Sequence, residues 1–484
     1  MSDVQLREET PAGAFSPAIE TEKATGRVGP VIAVLMFSAL IMILNETVLS
    51  VALPSIMGDF EVTAGTAQWL TTGFMLMMAV VIPTTGYLLQ RFTTRTLFSA
   101  ALLLFIVGTA LCGIAPTFAL ILLGRIVQAC GTAIILPLLM TTTLTTVPAW
   151  KRGAVMGLNS VVISVAPAIG PTISGIVVEA LSWRWVFGLM LPLGAIVFVC
   201  GLFMIKATHE VTRPRLDVGS VVLSVFGFGG IVYGLSSIEA LLDGAAAPVV
   251  ALVIGVLGLV AFVRRQTRLQ RTGSSLLDLR PFAVPAFRNS VIILMVVMAT
   301  LLGTVVVLPI YLQMGMGVSV LTTGLLMLPG GLAQGVLAPF VGRIYDKVGP
   351  RPIVIPGAIL LCGGQLLLST IGADTSLGVV VAWHVVFCLG LSLLMTPLMT
   401  ISLSALPREL YAHGSAILNT LQQLAGAAGT ALLVAALTIG AAAASGSDAE
   451  MQTVGTRHAF ILGSCIGLIA VITAPFVKRL RTDA

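Results

Sequence analysis

The sequence predicts an all-α polytopic membrane protein of 14 transmembrane helices, built as two six-helix bundles with two helices inserted between them. Four observations predict it. The chain is 57% hydrophobic and only 10% charged, where soluble domains carry about 25% charged residues. Its apolar runs reach about 20 residues or more, the length a helix needs to cross a bilayer, and charges collect in the short loops between them. The alternation of period two that a β-barrel requires is absent. Finally, the loop after the second run recurs after the tenth.

The elements follow in chain order. Residues 1–27 are polar, with no apolar core or cleavage pattern, and are expected to form a disordered cytosolic tail. The first bundle occupies 28–205, with spans at 28–54, 66–89, 97–115, 118–147, 153–179 and 184–205. Residues 206–288 hold the two inserted spans, 217–238 and 248–263, flanked by basic loops. The second bundle occupies 289–477, with spans at 289–314, 319–342, 352–371, 377–403, 413–440 and 457–477; residues 478–484 form a last cytosolic tail.

Lysine and arginine fix the orientation. Twenty-three of the 26 fall in the N-terminal tail, in the loops after the even-numbered spans, or in the C-terminal tail. The positive-inside rule therefore puts both termini and those loops in the cytosol. The same one-sidedness accounts for the net charge of +6 without a nucleic-acid partner. The six cysteines all lie in apolar runs, without CxxC spacing. They read as small packing residues rather than as disulfides or a metal site.

Two charges interrupt the apolar runs of the first bundle. Glu46 lies in span 1 and Arg125 in span 4. A lone charge deep in a membrane helix costs about 2.5–3.5 kcal/mol and usually marks a pathway or relay. Given the orientation, both lie roughly 10–12 Å below the outer ends of their spans at 1.5 Å per residue. They can meet if the two helices are neighbours, either as a functional pair or as a static ion pair.

The repeat aligns Gly86, Arg91 and Arg95 with Gly342, Lys347 and Arg351, at a constant offset of 256. Transporters are commonly built from such repeats, with the substrate site between the bundles near the midplane. Other polar residues inside spans are candidates for lining that cavity: Asn45, Gln68, Trp69, Gln128, Asn159, Gln334, His384, Asn419 and Gln423. Each has a structural alternative. Trp69 also suits an interfacial anchor, and His384 a packing histidine. Asn419 and Gln423, sharing a face at i and i+4, also suit helix–helix glue.

With these motifs assembled, the chain resembles the fourteen-helix drug/proton antiporters of the major facilitator superfamily, in particular the lincomycin-resistance-type branch. The likeness covers residues 28–477. Span 1 carries Leu44-Asn45-Glu46-Thr47 through Ala52-Leu53-Pro54, where the family has its acid one position earlier, at Asn45. Span 4 carries Gly124, Arg125, Gln128, Gly131 and Pro137, with Ala129 in place of one glycine. Span 5 carries the antiporter signature as Pro167, Gly170, Pro171 and Gly175. The gate loop appears twice, as Gly86, Gln90, Arg91 and Arg95, and as Gly342, Asp346, Lys347 and Arg351; the family aspartate survives only in the second copy.

The resemblance implies the major facilitator fold and a multi-pass protein of the bacterial plasma (inner) membrane, monomeric, without metal or cofactor. It implies proton-coupled efflux of small lipophilic compounds by alternating access, with Glu46 as proton carrier and Arg125 as its modulator. No acidic residue lies deep in spans 9–14, so neutral, zwitterionic or monocationic substrates are expected rather than dications. The expected partners are such substrates and membrane lipids. A proton-coupled exporter of an endogenous lipid or metabolite carries the same motifs, and a non-transporting membrane sensor stays open at this point. An enzyme is disfavoured, because HExxH, GxSxG and the Walker pattern are all missing.

Overall fold

The computed structural model describes residues 18–62, 64–205, 217–242, 244–272, 275–372 and 374–477. Among these residues the chain is helical throughout, without strands. Fourteen long helices follow one another. The first six are α1 (Ala18–Phe60), α2 (Ala64–Arg91), α3 (Thr94–Ile114), α4 (Phe118–Thr146), α5 (Arg152–Ala180) and α6 (Arg184–Met204). The middle pair is α7 (Val218–Ser236) and α8 (Ala246–Leu269), with a five-residue helix, Ile238–Leu242, between them. The last six are α9 (Pro285–Ile310), α10 (Val320–Val348), α11 (Arg351–Leu368), α12 (Leu377–Ser404), α13 (Tyr411–Ala442) and α14 (Asp448–Thr473).

Thirteen of the fourteen are long and apolar enough to cross a membrane by length and composition, counting only described residues. The fourteenth, α5, is 29 residues long, but several of its side chains lie outside the described set. The fold is therefore that of a multi-pass helical membrane protein. Three expectations need correcting. The second inserted helix, expected over 248–263, runs over Ala246–Leu269, and the last, expected from 457, begins at Asp448, because both continue through polar residues beyond the apolar run. Residues 1–17 of the expected disordered tail lie outside the described residues, but α1 begins at Ala18 rather than at 28. The extra turns contain alanine, glutamate and lysine, all good helix formers, so the helix runs on past the apolar stretch. The C-terminal tail, 478–484, and residues 206–216 also lie outside the described residues.

The two sets of six repeat one packing scheme. In the first, α1 lies on α5 and α6, α2 on α4, and α3 on α4 and α6. In the second, α9 lies on α13 and α14, α10 on α12, and α11 on α12 and α14. Every pair maps onto its counterpart eight helices later. The two sets meet along α5 against α10 and α2 against α13, which are again counterparts. The middle pair packs chiefly on itself, and α7 leans on α2 and α13. Much of α8 is exposed and apolar, as with Val253, Leu257 and Val260, which suits lipid contact.

Small residues set the spacing, because lipid gives helices no hydrophobic drive toward one another and close van der Waals contact must do the work. At the α3–α4 crossing, a Cβ on Gly108 would lie 2.6 Å from the Gly124 carbonyl oxygen. Some helix starts are capped by side chains where they leave the apolar core. Asp217 accepts from the Ser220 backbone N–H at the start of α7. Ser447 and Glu450 form a reciprocal capping box at the start of α14.

Candidate functional site

The charged centre of the first bundle forms where α1, α2, α3 and α4 converge. Arg125, on α4, is completely buried. Its Nη1 donates to Asn45 Oδ1 on α1 at 2.9 Å and to Gln128 Oε1, one turn along α4, at 3.0 Å. Its Nε points at the Leu70 carbonyl oxygen of α2 at 3.4 Å. The guanidinium stacks on the Phe74 ring with its carbon 4.1 Å from the centroid. Gln128 Nε2 passes the network on to Thr109 Oγ1 of α3 at 2.8 Å, and Thr109 closes it on the Phe105 carbonyl at 2.6 Å. Two buried donors are left without partners, Arg125 Nη2 and Asn45 Nδ2. A buried guanidinium held by neutral acceptors, with one arm unpaired, is costly to keep and is a group ready to interact.

The sequence pairs Arg125 with Glu46, and here the geometry differs. The direct partner on α1 is Asn45, and among the described residues no ion pair joins Arg125 to Glu46. The reason is helical phase. Successive residues point about 100° apart, so turning Asn45 onto α4 turns Glu46 away. Thr47 marks the far side of that sweep, since a Cβ on Gly170 of α5 would run into its side chain. Glu46 thus sits half-buried between the α4-facing and α5-facing edges of α1, within electrostatic range of Arg125.

In the span 5 signature, Gly170 makes the close approach to α1 just described. A Cβ on Gly175 would meet nothing within 4 Å among the described residues. The Pro167 and Pro171 side chains lie outside the described residues, as does that of Gln68.

The remaining candidates are spread over both bundles. Asn159 is buried on α5 and donates to Thr143 Oγ1 at 3.2 Å, with its Oδ1 unpartnered. Gln334 (α10) and His384 (α12) are buried, each with an unpartnered nitrogen, Nε2 and Nδ1. His384 Nε2 lies 3.5 Å from Cys388 Sγ. Asn419 turns back onto its own helix, donating to the Ser415 carbonyl at 2.8 Å. Gln423 crosses between bundles, with Nε2 3.7 Å from Met78 Sδ of α2. Trp69, 40% exposed, stacks on Tyr233 of α7 with centroids 5.7 Å apart, so its ring has a partner outside the two bundles.

The two gate loops sit where the bundles touch, at the end carrying the basic loops. In the second copy, Asp346 caps a helix of the opposite bundle. Its Oδ1 and Oδ2 accept from the backbone N–H groups of Gly153 and Ala154, each at 3.0 Å. These are unpaired donors of the first turn of α5, where the helix dipole also favours an anion. Gly342 packs directly on the Gly153 backbone, leaving no room for a side chain at either position. In the first copy, Gly86 packs on His413 of α13, and the side-chain amide of Gln90 lies 2.7 Å from His413 Nε2. Arg351 does not bridge the bundles. Its Nη2 donates to the Pro475 carbonyl of its own bundle at 2.8 Å, while Lys347 and Arg95 are exposed and Arg91 half-buried.

Sequence reasoning missed His413, Tyr411 and Arg152. Arg152 closes the end of α4 by donating to the Leu144 carbonyl at 2.8 Å, and reaches across to Tyr411 Oη at 3.3 Å. The available signal was positional: Gly153 and His413 open spans 5 and 13, which are counterparts in the repeat. At the opposite end, Asp59 accepts from Trp183 Nε1 at 2.8 Å and Arg184 Nη1 at 2.7 Å, tying α1 to α6. These two bonds hold the Asp59 carboxyl below the ordinary carboxylate range.

Comparison with known proteins agrees with this architecture. The signature of the Major Facilitator Superfamily matches residues 35–430. The chain is 39% identical to the lincomycin resistance protein LmrB of Bacillus subtilis, over 94% of this chain and 97% of that one. It is 30% identical to a multidrug resistance protein B homolog of Mycobacterium tuberculosis, over 81% and 73%. Among solved structures, the human organic anion transporter MFSD10 superposes with a TM-score of 0.67 at 14% identity, covering 92% of this chain and 99% of that one. The proton:xylose symporter XylE superposes with a TM-score of 0.66 at 15% identity, covering 94% and 97%. At these identities the two structures speak for the fold alone.

Proposed function

The chain belongs to the major facilitator superfamily and is a multi-pass membrane transporter, not an enzyme, and from that premise we propose that it is a proton-coupled multidrug efflux antiporter. In this reading it exports lipophilic neutral, zwitterionic or monocationic compounds from a bacterial cell by alternating access. It sits in the plasma membrane with both termini and the basic loops in the cytosol, as the lysine and arginine distribution favours. It acts as a monomer among membrane lipids, with protons as coupling ion and with no cofactor or nucleic-acid partner. The efflux reading is supported by relatives named for lincomycin and multidrug resistance.

The observation that carries the coupling mechanism is Arg125, a fully buried cation held only by neutral acceptors, beside the half-buried carboxyl of Glu46. Glu46 carries the proton, and Arg125 tunes it through space. Asn45, standing at the family's acidic position, holds the guanidinium in place without neutralising it. The seals at Asp346 and His413 are closed, which supports a conformation shut toward the cytosol. Opening them rehydrates the centre and changes its distances, and with them the proton affinity of Glu46. One charge crossing 100 mV supplies about 2.3 kcal/mol, enough for about a fifty-fold gradient of a neutral substrate.

A screen of lipophilic antibiotics and dyes in liposomes carrying an imposed pH gradient tests this reading. At least one compound should move against its gradient, toward the side that supplies protons. If uptake of every compound ignores the pH gradient, the coupling is wrong.

A further inference from the structure

The two gate copies close the same end of the molecule with different chemistry, and the difference falls on one imidazole. In the second copy the latch is a carboxylate on two helix N–H groups. In the first copy the position of Asp346 is held by Gln90, and the surface it meets is the buried ring of His413. Gly86 packs against that ring just as Gly342 packs against Gly153.

A third element joins here. The segment leading from α8 into α9 runs under α13, with Leu276, Leu277 and Asp278 all buried. The Asp278 backbone N–H donates to His413 Nδ1 at 3.2 Å. One residue earlier, the Leu277 N–H donates to Gln266 Oε1 of α8 at 3.1 Å, and Gln266 Nε2 donates to Ser220 Oγ of α7 at 2.6 Å. A single ring therefore ties together the gate loop of the first bundle, a helix of the second, and the connection to the inserted pair.

The bonding fixes the ring's state. A backbone N–H can only donate, so Nδ1 must accept and carries no proton. The one ring proton of the neutral imidazole then lies on Nε2. The Gln90 atom placed 2.7 Å from it is the amide nitrogen, itself a donor, so the amide must be turned over to present its oxygen; amide ends are assigned from such networks rather than from shape. A proton added at Nδ1 makes both nitrogens donors. The Asp278 N–H loses its acceptor and faces a donor instead, while the bond to Gln90 survives. The new charge also lies in the first turn of α13, where the helix dipole disfavours a cation. The charged groups acting on the ring are Asp278 and Arg280 of the linker. They are committed to each other, with Arg280 Nε donating to Asp278 Oδ2 at 2.7 Å and Glu409 acting on Arg280 in turn. From α2 the neighbour is the neutral Gln90, and on α13 itself Tyr411 is engaged by Arg152.

We propose that His413 is a second proton-binding site, separate from Glu46, that works as a latch. Neutral His413 fastens the linker 275–284 against the closed gate, and protonation of Nδ1 releases it. Acid on the basic-loop side then frees the linker from the first gate copy, whose Gln90 bond survives, and leaves the Asp346 copy fastened.

Hydrogen–deuterium exchange of the full-length protein in lipid nanodiscs tests this, with rates corrected for intrinsic chemistry at about pH 8 and about pH 5.5, on either side of the ordinary histidine range. In the wild type, protection of the peptide carrying Asp278 should fall about tenfold on acidification, as expected for one lost buried hydrogen bond. Protection of the peptide carrying Gly153 and Ala154 should hold. His413→Gln, whose amide supplies a neutral acceptor, should keep the Asp278 peptide protected at both pH values. His413→Lys, a donor only, should leave it unprotected at both. Wild-type protection that does not change with pH, or an equal fall in His413→Gln, would overturn the proposal. Neither readout involves transport, so failure here leaves the antiport reading untouched, and the converse also holds.

Discussion

Replacing Asp346 by asparagine should unlock the end of the molecule that carries the basic loops. The carboxylate accepts two backbone N–H bonds at 3.0 Å from the first turn of α5, a helix of the opposite bundle. Hydrogen bonds to a charged group contribute about 1.5–3 kcal/mol each when buried. Asp346 is half-buried, so the lower end applies. Asparagine keeps one acceptor oxygen, loses the second bond, and loses the charge that the helix N-terminus favours by about 0.3–1 kcal/mol. The closed state should weaken by about 1.5–2 kcal/mol, which raises the open population about 10–30-fold. Gly153→Ala approaches the same contact from the other side. Its methyl would collide with Asp346 Oδ1 and lie 2.7 Å from the Gly342 carbonyl, so it should open the gate with Asp346 intact. Electron–electron distance measurements between spin labels at Trp150 and Lys347, both exposed, read the result in a background without native cysteines. A distance distribution unchanged in both variants would refute the claim that this cap holds the bundles together.

Two further outcomes follow from the same structure. Asn45→Ala removes one acceptor from the buried guanidinium and should lower stability by about 1–3 kcal/mol, read as a fall in the detergent melting temperature; an unchanged melt would mean Asn45 is not what holds Arg125. Asp217→Ala removes the N-cap of α7 and the anchor of Arg265, at 2.7 Å, and should cost about 1 kcal/mol. The Arg265 and Ser220 bonds hold that carboxyl at about 2, so its contribution is complete above the unfolded value near 3.8 and is lost as pH falls toward 2. Melts of wild type and variant should converge across that acid window, and a constant difference would count against the ion pair.

Much of the architecture was legible because apolar length and loop charge are one-dimensional signals. Some spans fall within a few residues of expectation, as at α4, expected over 118–147 and found over Phe118–Thr146, while others run longer, as at α14, expected from 457 and found from Asp448. The tail was not legible in the same way, because helix propensity carried α1 back to Ala18 through residues with no apolar pattern. At the site, the motif located Arg125, but helical phase decided its partner. A shift of one position between Asn45 and Glu46 is trivial in sequence and about 100° in space. The gate shows the same limit. Asp346 could be read as a cap, whereas the Gln90–His413 latch depends on a residue 323 positions away, visible only when the bundles are docked.

The central claim is that Glu46 carries the proton that drives export. Its most direct test is simultaneous recording of proton and substrate movement in proteoliposomes holding either wild type or Glu46→Gln. The wild type should release protons in exchange for substrate in a fixed ratio. Glu46→Gln should still bind substrate but show no substrate-induced proton movement at any pH gradient. Proton exchange by Glu46→Gln at the wild-type ratio would contradict the account.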